Sequence, residues 1–222
     1  AALELMQRLI VGKPGLVTQF ADALLQAEAQ TAAVALVREH GSDHWMSRDW
    51  LAKYYRQYGT PQEAVEAQQR VLLGAPSVEA FQTLHEVSHK AGTWEQVRPR
   101  VLDELHHQKH FGALVDIALH EGDVARALEF LPHVSGGWHD YKWEVAQAAE
   151  KEHPHAAITL YQELTERAIA QRSRGAYQQA TTYLKRAKQL YGRLKVPADW
   201  ETCIQALRTR YPTLRALHDE LR

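Results

Sequence analysis

Hydrophobic residues recur every three to four positions along almost the whole chain, which is the spacing of one face of an α-helix. Two stripes show this spacing most clearly: Val78, Phe81, Leu84, Ser88 and Ala91, and Tyr177, Ala180, Leu184, Ala187 and Tyr191. No run of β-branched residues alternates strictly with polar residues, as a half-buried strand requires. The pattern therefore predicts an all-α protein.

Amphipathic runs of similar sequence open at regular intervals along the chain. Glycine leads four of them, at Gly59, Gly92, Gly122 and Gly175, and related runs without glycine open near residues 28 and 152. The intervals from residue 59 onward are roughly 33, 30, 30 and 23 residues, the range in which one helix pair per repeat stacks into a solenoid. We therefore predict a tetratricopeptide-like α-solenoid of antiparallel helix hairpins.

The repeats fill the whole chain in this prediction. One domain covers residues 1–222, with units that start near residues 28, 59, 92, 122, 152 and 175. Residues 198–222 break the repeat length and are expected to cap the array, because terminal units of solenoids are atypical.

The turns between helices carry their own local signals. Thr60 with Pro61 and Glu63 matches a capping box, in which the threonine and the glutamate satisfy each other's backbone N–H groups. Thr93 and Gln96 repeat the box. Each preceding glycine is expected to end the earlier helix in a left-handed conformation.

Two regions resemble known repeat proteins. The run from Tyr54 to Glu66 resembles a tetratricopeptide repeat turn with Tyr58 inserted, and residues 175–180 are close to the same pattern. Further motifs follow in chain order: Ala91-Gly92-Thr93-Trp94, Leu119-His120-Glu121-Gly122-Asp123, His153-Pro154 with Ala157-Ile158 and Tyr161, Arg174 with Tyr177 and Ala180, and Trp200 with Leu207-Arg208.

In this order and spacing, the motifs are similar to the C-terminal helical region of bacterial SWIM zinc-finger proteins. The resemblance implies an upstream zinc finger, with a Cys-x-Cys and Cys-x-His signature, that is linked to nucleic-acid or protein binding. Cys203 stands alone here, so no metal ligand is carried over. The chain also starts in a helical pattern without an initiator Met, and we interpret it as the C-terminal part of a larger zinc-finger protein.

Composition narrows the class of protein further. The single cysteine excludes a disulfide framework within these 222 residues. No apolar run approaches the roughly 20 residues that a membrane-spanning helix needs. We expect a cytoplasmic protein that does not contact a membrane.

Charge is distributed unevenly along the chain. Residues 1–166 hold 14 basic and 23 acidic side chains, whereas residues 167–222 hold 12 basic and 4 acidic ones. Eight cations in the basic part look nearly unopposed and have Tyr183 and Tyr191 interleaved: Arg167, Arg172, Arg174, Lys185, Arg186, Lys188, Arg193 and Lys195. They are either an ordinary solvated helix face or a surface for an anionic partner.

One catalytic motif is present. His85-Glu86-Val87-Ser88-His89 matches H-E-x-x-H, which puts two imidazoles and a carboxylate on one helix as zinc hydrolases require. A third ligand would come from Glu104, His106 or His110, but the surrounding apolar stripe favours structural or solvated histidines. Cys203 shares a face with Trp200, Ile204 and Leu207 and is expected to be a buried thiol.

The predicted function is therefore a non-catalytic scaffold module that binds a protein or peptide segment and holds no cofactor. Two alternatives stay open. One is an accessory nucleic-acid-binding module that uses residues 167–195 beside an upstream zinc finger, and the other is a zinc-dependent hydrolase that uses His85, Glu86 and His89.

Overall fold

The computed structural model describes residues 13–41, 44–135 and 140–211. These residues form twelve α-helices and no strand. The helices are α1 (Pro14–Gln26), α2 (Gln30–His40), α3 (Trp45–Tyr58), α4 (Pro61–Gly74), α5 (Val78–Lys90), α6 (Trp94–His107), α7 (Phe111–Glu121), α8 (Val124–Phe130), α9 (Tyr141–Ala149), α10 (Pro154–Ala170), α11 (Arg174–Leu194) and α12 (Pro197–Arg210). The all-α prediction is confirmed. Residues 212–222 of the predicted C-terminal cap lie outside the described part of the chain.

The chain divides into two compact units, 1–117 and 118–222, with the boundary inside α7. In the N-terminal unit, α1 packs on α2 and α3, α3 packs on α4, and α4 packs on α5 and α6. In the C-terminal unit, each helix from α8 to α12 packs on its neighbour in the chain. Where the connection between two successive helices is fully described and only two to four residues long, it is typical of an antiparallel helix hairpin. This is the hairpin arrangement of the predicted α-solenoid class; the tetratricopeptide type and the single domain over 1–222 stay predictions.

Small residues lie where these helices pack closely. Ala64, Ala127, Ala157 and Ala180 come from four of the repeat-like runs, and none is more than 6% exposed. A methyl side chain at such a position lets two helices approach, whereas a larger one overpacks the contact. The alanines of the repeat pattern are therefore core residues.

Within the part of the chain that the structure describes, the same helix-ending turn recurs five times. In each turn the residue in the left-handed region donates its N–H to the carbonyl three residues earlier, and the next residue donates to the carbonyl five residues before it. This is the Schellman motif, which satisfies carbonyls that the helix leaves unpaired. The left-handed residues of these five turns are Glu28, Gly92, Lys109, Gly122 and Lys195; Arg172 is also left-handed but lacks the second hydrogen bond of the motif. Glycine therefore marks only two of the five turns.

The sequence predicted a left-handed glycine at Gly59, and that prediction is wrong. Gly59 has a φ of −92°. A Cβ on Gly59 would lie 2.7 Å from Cδ1 of Tyr55, so close approach to that ring is the reason for glycine at this position. Gly175 lies inside α11, which begins one residue after its cap, Ser173.

The two capping boxes also differ. Thr60 accepts a hydrogen bond from the backbone N–H of Glu63 at 3.3 Å, and Oε2 of Glu63 accepts one from the backbone N–H of Thr60 at 3.0 Å. That box is confirmed. The box predicted at Thr93 is wrong, because its side chain makes no cap and instead lies 3.5 Å from the carbonyl oxygen of Ser88.

Candidate partner-binding surface

Helix α11 carries five of the eight predicted cations and has no acidic residue in its 21 positions. Its N-cap is Ser173, whose side chain accepts a 3.2 Å hydrogen bond from the N–H of Ala176. One face is apolar and packs on α10. The buried side chains of that face include Tyr177, Ala180 and Leu184.

The opposite face of α11 is polar and open to solvent. Its exposed residues follow helical spacing, and we call them the α11 face: Arg174, Gln178, Thr182, Lys185, Gln189 and Arg193. Three cations and three uncharged hydrogen-bonding side chains therefore share one surface. None of the three cations forms an ion pair with another described residue.

Two of the eight cations are neutralised by neighbouring helices. Arg167 forms an ion pair with Asp140. Arg186 Nη1 lies 3.2 Å from Oε1 of Glu150, and its guanidinium lies 6.0 Å from the ring centroid of Trp143. The prediction that all eight cations are nearly unopposed is wrong for these two, because acidic partners far away in sequence fold back against them.

The other three cations have local surroundings of their own. Lys188 Nζ lies 5.8 Å from the ring centroid of Trp200 on α12, a cation–π distance. Arg172 and Lys195 flank α11 in the left-handed region, with φ of 51° and 59°. Both residues therefore lie in turns at helix ends. The turn explains their backbone conformation, but it does not require a positively charged side chain.

The interleaved tyrosines do not belong to the α11 face. Tyr191 is 8% exposed, and its ring centroid lies 6.1 Å from that of Trp200. Tyr183 is partly buried against Trp143, with 5.3 Å between ring centroids. Burial is the main reason that the pKa of each tyrosine is raised. Neither ring is exposed as fully as a stacking platform for a nucleic-acid base requires.

The H-E-x-x-H motif lies on α5 with His85, Glu86 and His89 exposed. The ring centroids of the two histidines are 5.8 Å apart, and the His85 ring packs edge-on against Trp94 at 4.7 Å. Across the described residues, no three His, Cys, Asp or Glu side chains are grouped closely enough to share a metal ion.

A cleft that the sequence did not reveal lies in the C-terminal unit. It has a volume of about 1040 Å³ and is lined by parts of α10, α11 and α12. Cys203 lines it and is partly buried rather than fully buried as expected. Gln162 Nε2 donates to Sγ of Cys203 at 3.4 Å and to the hydroxyl of Tyr191 at 3.0 Å. The lining residues are up to 48 positions apart in sequence (Gln162 to Arg210), so no local sequence pattern predicts the cleft.

No family model matches the chain, so this comparison assigns it to no protein family. A protein of Bacillus subtilis (strain 168), the uncharacterized protein YwqB, is 40% identical over 68 residues. That match covers 31% of this chain and only 13% of the length of the Bacillus protein. None of the described helices is long and apolar enough to cross a membrane.

A de novo designed helical repeat protein of known crystal structure aligns with 96% of this chain and with 99% of its own length. The two sequences are 16% identical, and the TM-score is 0.25. At that score the likeness adds nothing to the fold described above, which rests on the helices of this chain and on their packing.

Proposed function

We propose that this chain is a non-catalytic scaffold module that binds a segment of another protein. The observation that carries the proposal is the repetition of one building block, the antiparallel helix hairpin, within each compact unit. Each hairpin buries its small and apolar residues against neighbouring helices and leaves a polar face in solvent. Arrays of this kind present extended surfaces that suit protein segments.

We also propose that the module is the C-terminal helical part of a larger, cytoplasmic SWIM zinc-finger protein. Support for the SWIM type comes from the order of the short motifs between Ala91 and Leu221. The partial identity to a longer Bacillus protein supports only that the chain is part of a larger protein. In this proposal the zinc finger belongs to sequence outside the 222 residues, and the helical repeats hold the partner.

An accessory nucleic-acid-binding role is the second candidate. The acid-free sequence of α11 favours it, because phosphates are neutralised by Lys and Arg. The burial of Tyr183 and Tyr191 speaks for the protein partner instead, since nonspecific single-strand binding relies on exposed aromatic rings as well as on charge.

The test is affinity capture of partner molecules from a lysate of the cell of origin, with the tagged chain as bait. In one control an excess of the untagged chain competes for the partner. In the other, the bait is a helical domain whose surface residues are scrambled. We expect one or more proteins to be enriched after nuclease treatment, and to co-elute with the purified chain in size-exclusion chromatography. If nuclease treatment abolished all enrichment, the result would contradict the protein partner and favour the nucleic-acid-binding role.

Metal analysis tests the alternative that the chain is a zinc-dependent hydrolase. Protein purified without an affinity tag is analysed for metal, beside a His89→Ala variant. We expect no stoichiometric zinc; one equivalent that disappears in the variant would contradict the scaffold proposal, because a catalytic zinc needs histidine ligands of this kind.

A further inference from the structure

We propose that the α11 face is a docking surface for an acidic segment of the partner protein. This inference rests on the scaffold function proposed above and gives the partner a chemical class. It places the contact on Arg174, Lys185 and Arg193, the three exposed cations of α11 that have neither an ion pair nor a cation–π contact among the described residues.

Several other charges of the C-terminal unit form ion pairs within it. Four ion pairs tie neighbouring helices or the segment before α9 together: Lys142–Glu163, Arg167–Asp140, Arg186–Glu150 and Arg210–Glu166. The acidic residues of these pairs are therefore already occupied. The cations of the α11 face have no such partner among the described residues of α9, α10 or α12, so they are available to an anionic partner.

Favourable helix electrostatics explain the position of only one of these three cations. A helix C-terminus attracts positive charge, which accounts for Arg193 in the last turn of α11. Lys185 lies in the middle of the helix, where the dipole has little effect. Arg174 is the first helical residue, where the dipole disfavours a cation, and the first turn has no acidic residue to offset it.

The spacing of the cations suits carboxylates on a polypeptide. With a rise of about 1.5 Å per residue, Arg174 and Lys185 are about 16 Å apart along the helix axis, and Lys185 and Arg193 are about 12 Å apart. Duplex DNA carries one charge per roughly 1.7 Å, so three cations at this spacing would neutralise only a few of its phosphates. The intervening Gln178, Thr182 and Gln189 offer amide and hydroxyl groups that can bond a peptide backbone.

The same distances set the size of the segment. The face covers about 28 Å from Arg174 to Arg193, which corresponds to about 9 residues of extended chain or about 19 residues of helix. The segment presents Asp or Glu near both ends and at one position between them. Arg174 and Arg193 can bind carboxylates in the bidentate manner that arginine favours.

A direct test measures the binding of a fluorescein-labelled peptide by fluorescence anisotropy. The probe is a peptide of about 20 alternating Glu and Ala residues, long enough to cover the face in either conformation. The protein is the 222-residue chain, compared with the variant Lys185→Gln/Arg193→Gln. The matched control is Arg167→Gln/Arg210→Gln, which removes the same charge from the same unit at cations that are already paired.

We expect the Lys185→Gln/Arg193→Gln variant to bind the acidic peptide about tenfold more weakly or worse, and the control variant to stay within about twofold of the wild type. Binding should weaken between roughly 50 and 200 mM salt, because the contact is electrostatic. Equal losses in the two variants, or tighter binding to a single-stranded DNA of the same charge, would overturn the proposal.

The same two variants separate this inference from the scaffold function. If the wild-type chain captures a partner protein and the Lys185→Gln/Arg193→Gln variant captures it equally well, the α11 face is not the docking surface but the scaffold function stands. If neither captures a protein, the scaffold function itself fails. Circular dichroism confirms that both variants fold, which is expected because all four side chains are exposed.

Discussion

The hydroxyl of Tyr161 donates a 2.6 Å hydrogen bond to Oε1 of Glu150, in a part of α10 where Tyr161 is fully buried. The same oxygen accepts a 3.2 Å hydrogen bond from Nη1 of Arg186. Glu150 follows α9, Tyr161 belongs to α10 and Arg186 belongs to α11. One carboxylate therefore links three successive helices of the C-terminal unit.

Removal of the Tyr161 hydroxyl should weaken this link. We expect Tyr161→Phe to lower the free energy of unfolding by about 1.5–3 kcal/mol, the usual range for a hydrogen bond to a charged group. Urea titration followed by circular dichroism measures the change. The control is Tyr58→Phe, at a side chain that is 51% exposed, where the change should stay within about 0.5 kcal/mol. Equal effects at the two positions would show that the bond to Glu150 is not stabilising.

Stability should fall at alkaline pH. Burial raises the pKa of Tyr161, and the hydrogen bond to Glu150 and its negative charge raise it further. An unfolded tyrosine ionises near pH 10.0. Above that pH the unfolded chain releases a proton that the folded chain keeps, so this stability is complete below pH 10.0 and is lost as the pH rises toward the folded pKa.

The slope of the unfolding free energy against pH tests whether Tyr161 contributes to this loss of stability. One such residue lowers the free energy of unfolding by about 1.4 kcal/mol per pH unit in this window. Burial also raises the pKa values of Tyr55, Tyr183 and Tyr191, so the wild-type slope contains contributions from all four. Urea midpoints measured on both sides of pH 10.0 should show a shallower decline in Tyr161→Phe. An unchanged slope in that variant would contradict the assignment.

The two threonine caps should respond differently to the same substitution. Thr60→Ala removes a side-chain acceptor from the start of α4, and we expect a cost of about 1 kcal/mol. Thr93→Ala removes no cap, so it should lower the free energy of unfolding by only about 0.3 kcal/mol. Thermal or urea unfolding of both variants checks the comparison. A Thr93→Ala variant that loses as much as Thr60→Ala would mean that Thr93 caps α6 in solution.

Two glycines offer a comparison of the same kind. Gly92 has a φ of 68°, so Gly92→Ala should cost about 1–2 kcal/mol because a Cβ disfavours the left-handed region. Gly175 lies inside α11 and has open space around its Cβ position, so Gly175→Ala should add about 0.4–1 kcal/mol. Opposite signs in urea unfolding confirm the assignment. The same sign at both positions would contradict it.

These glycines show how far local sequence can be interpreted. Gly92 and Gly175 open runs of similar sequence, and both runs are predicted to start a repeat unit. Only Gly92 takes the left-handed conformation, because at Gly175 the cap is supplied two residues earlier by Ser173. Where no glycine is present, Glu28, Lys109 and Lys195 adopt the same conformation. The Schellman hydrogen bonds stabilise those turns, and they depend on backbone geometry rather than on residue type.

The sequence by itself determined the helical class of this protein, since the period of its apolar residues and the alanines of its repeats are local properties that fix which face each helix buries. Tertiary structure alone decided which cations stay free. Arg167 and Arg186 are neutralised by Asp140 and Glu150, which lie 27 and 36 positions away in the chain. The same holds for the cleft beside Cys203, whose lining comes from three helices. A one-dimensional pattern records charge and hydrophobicity but not distance between distant segments, and electrostatic pairing depends on distance.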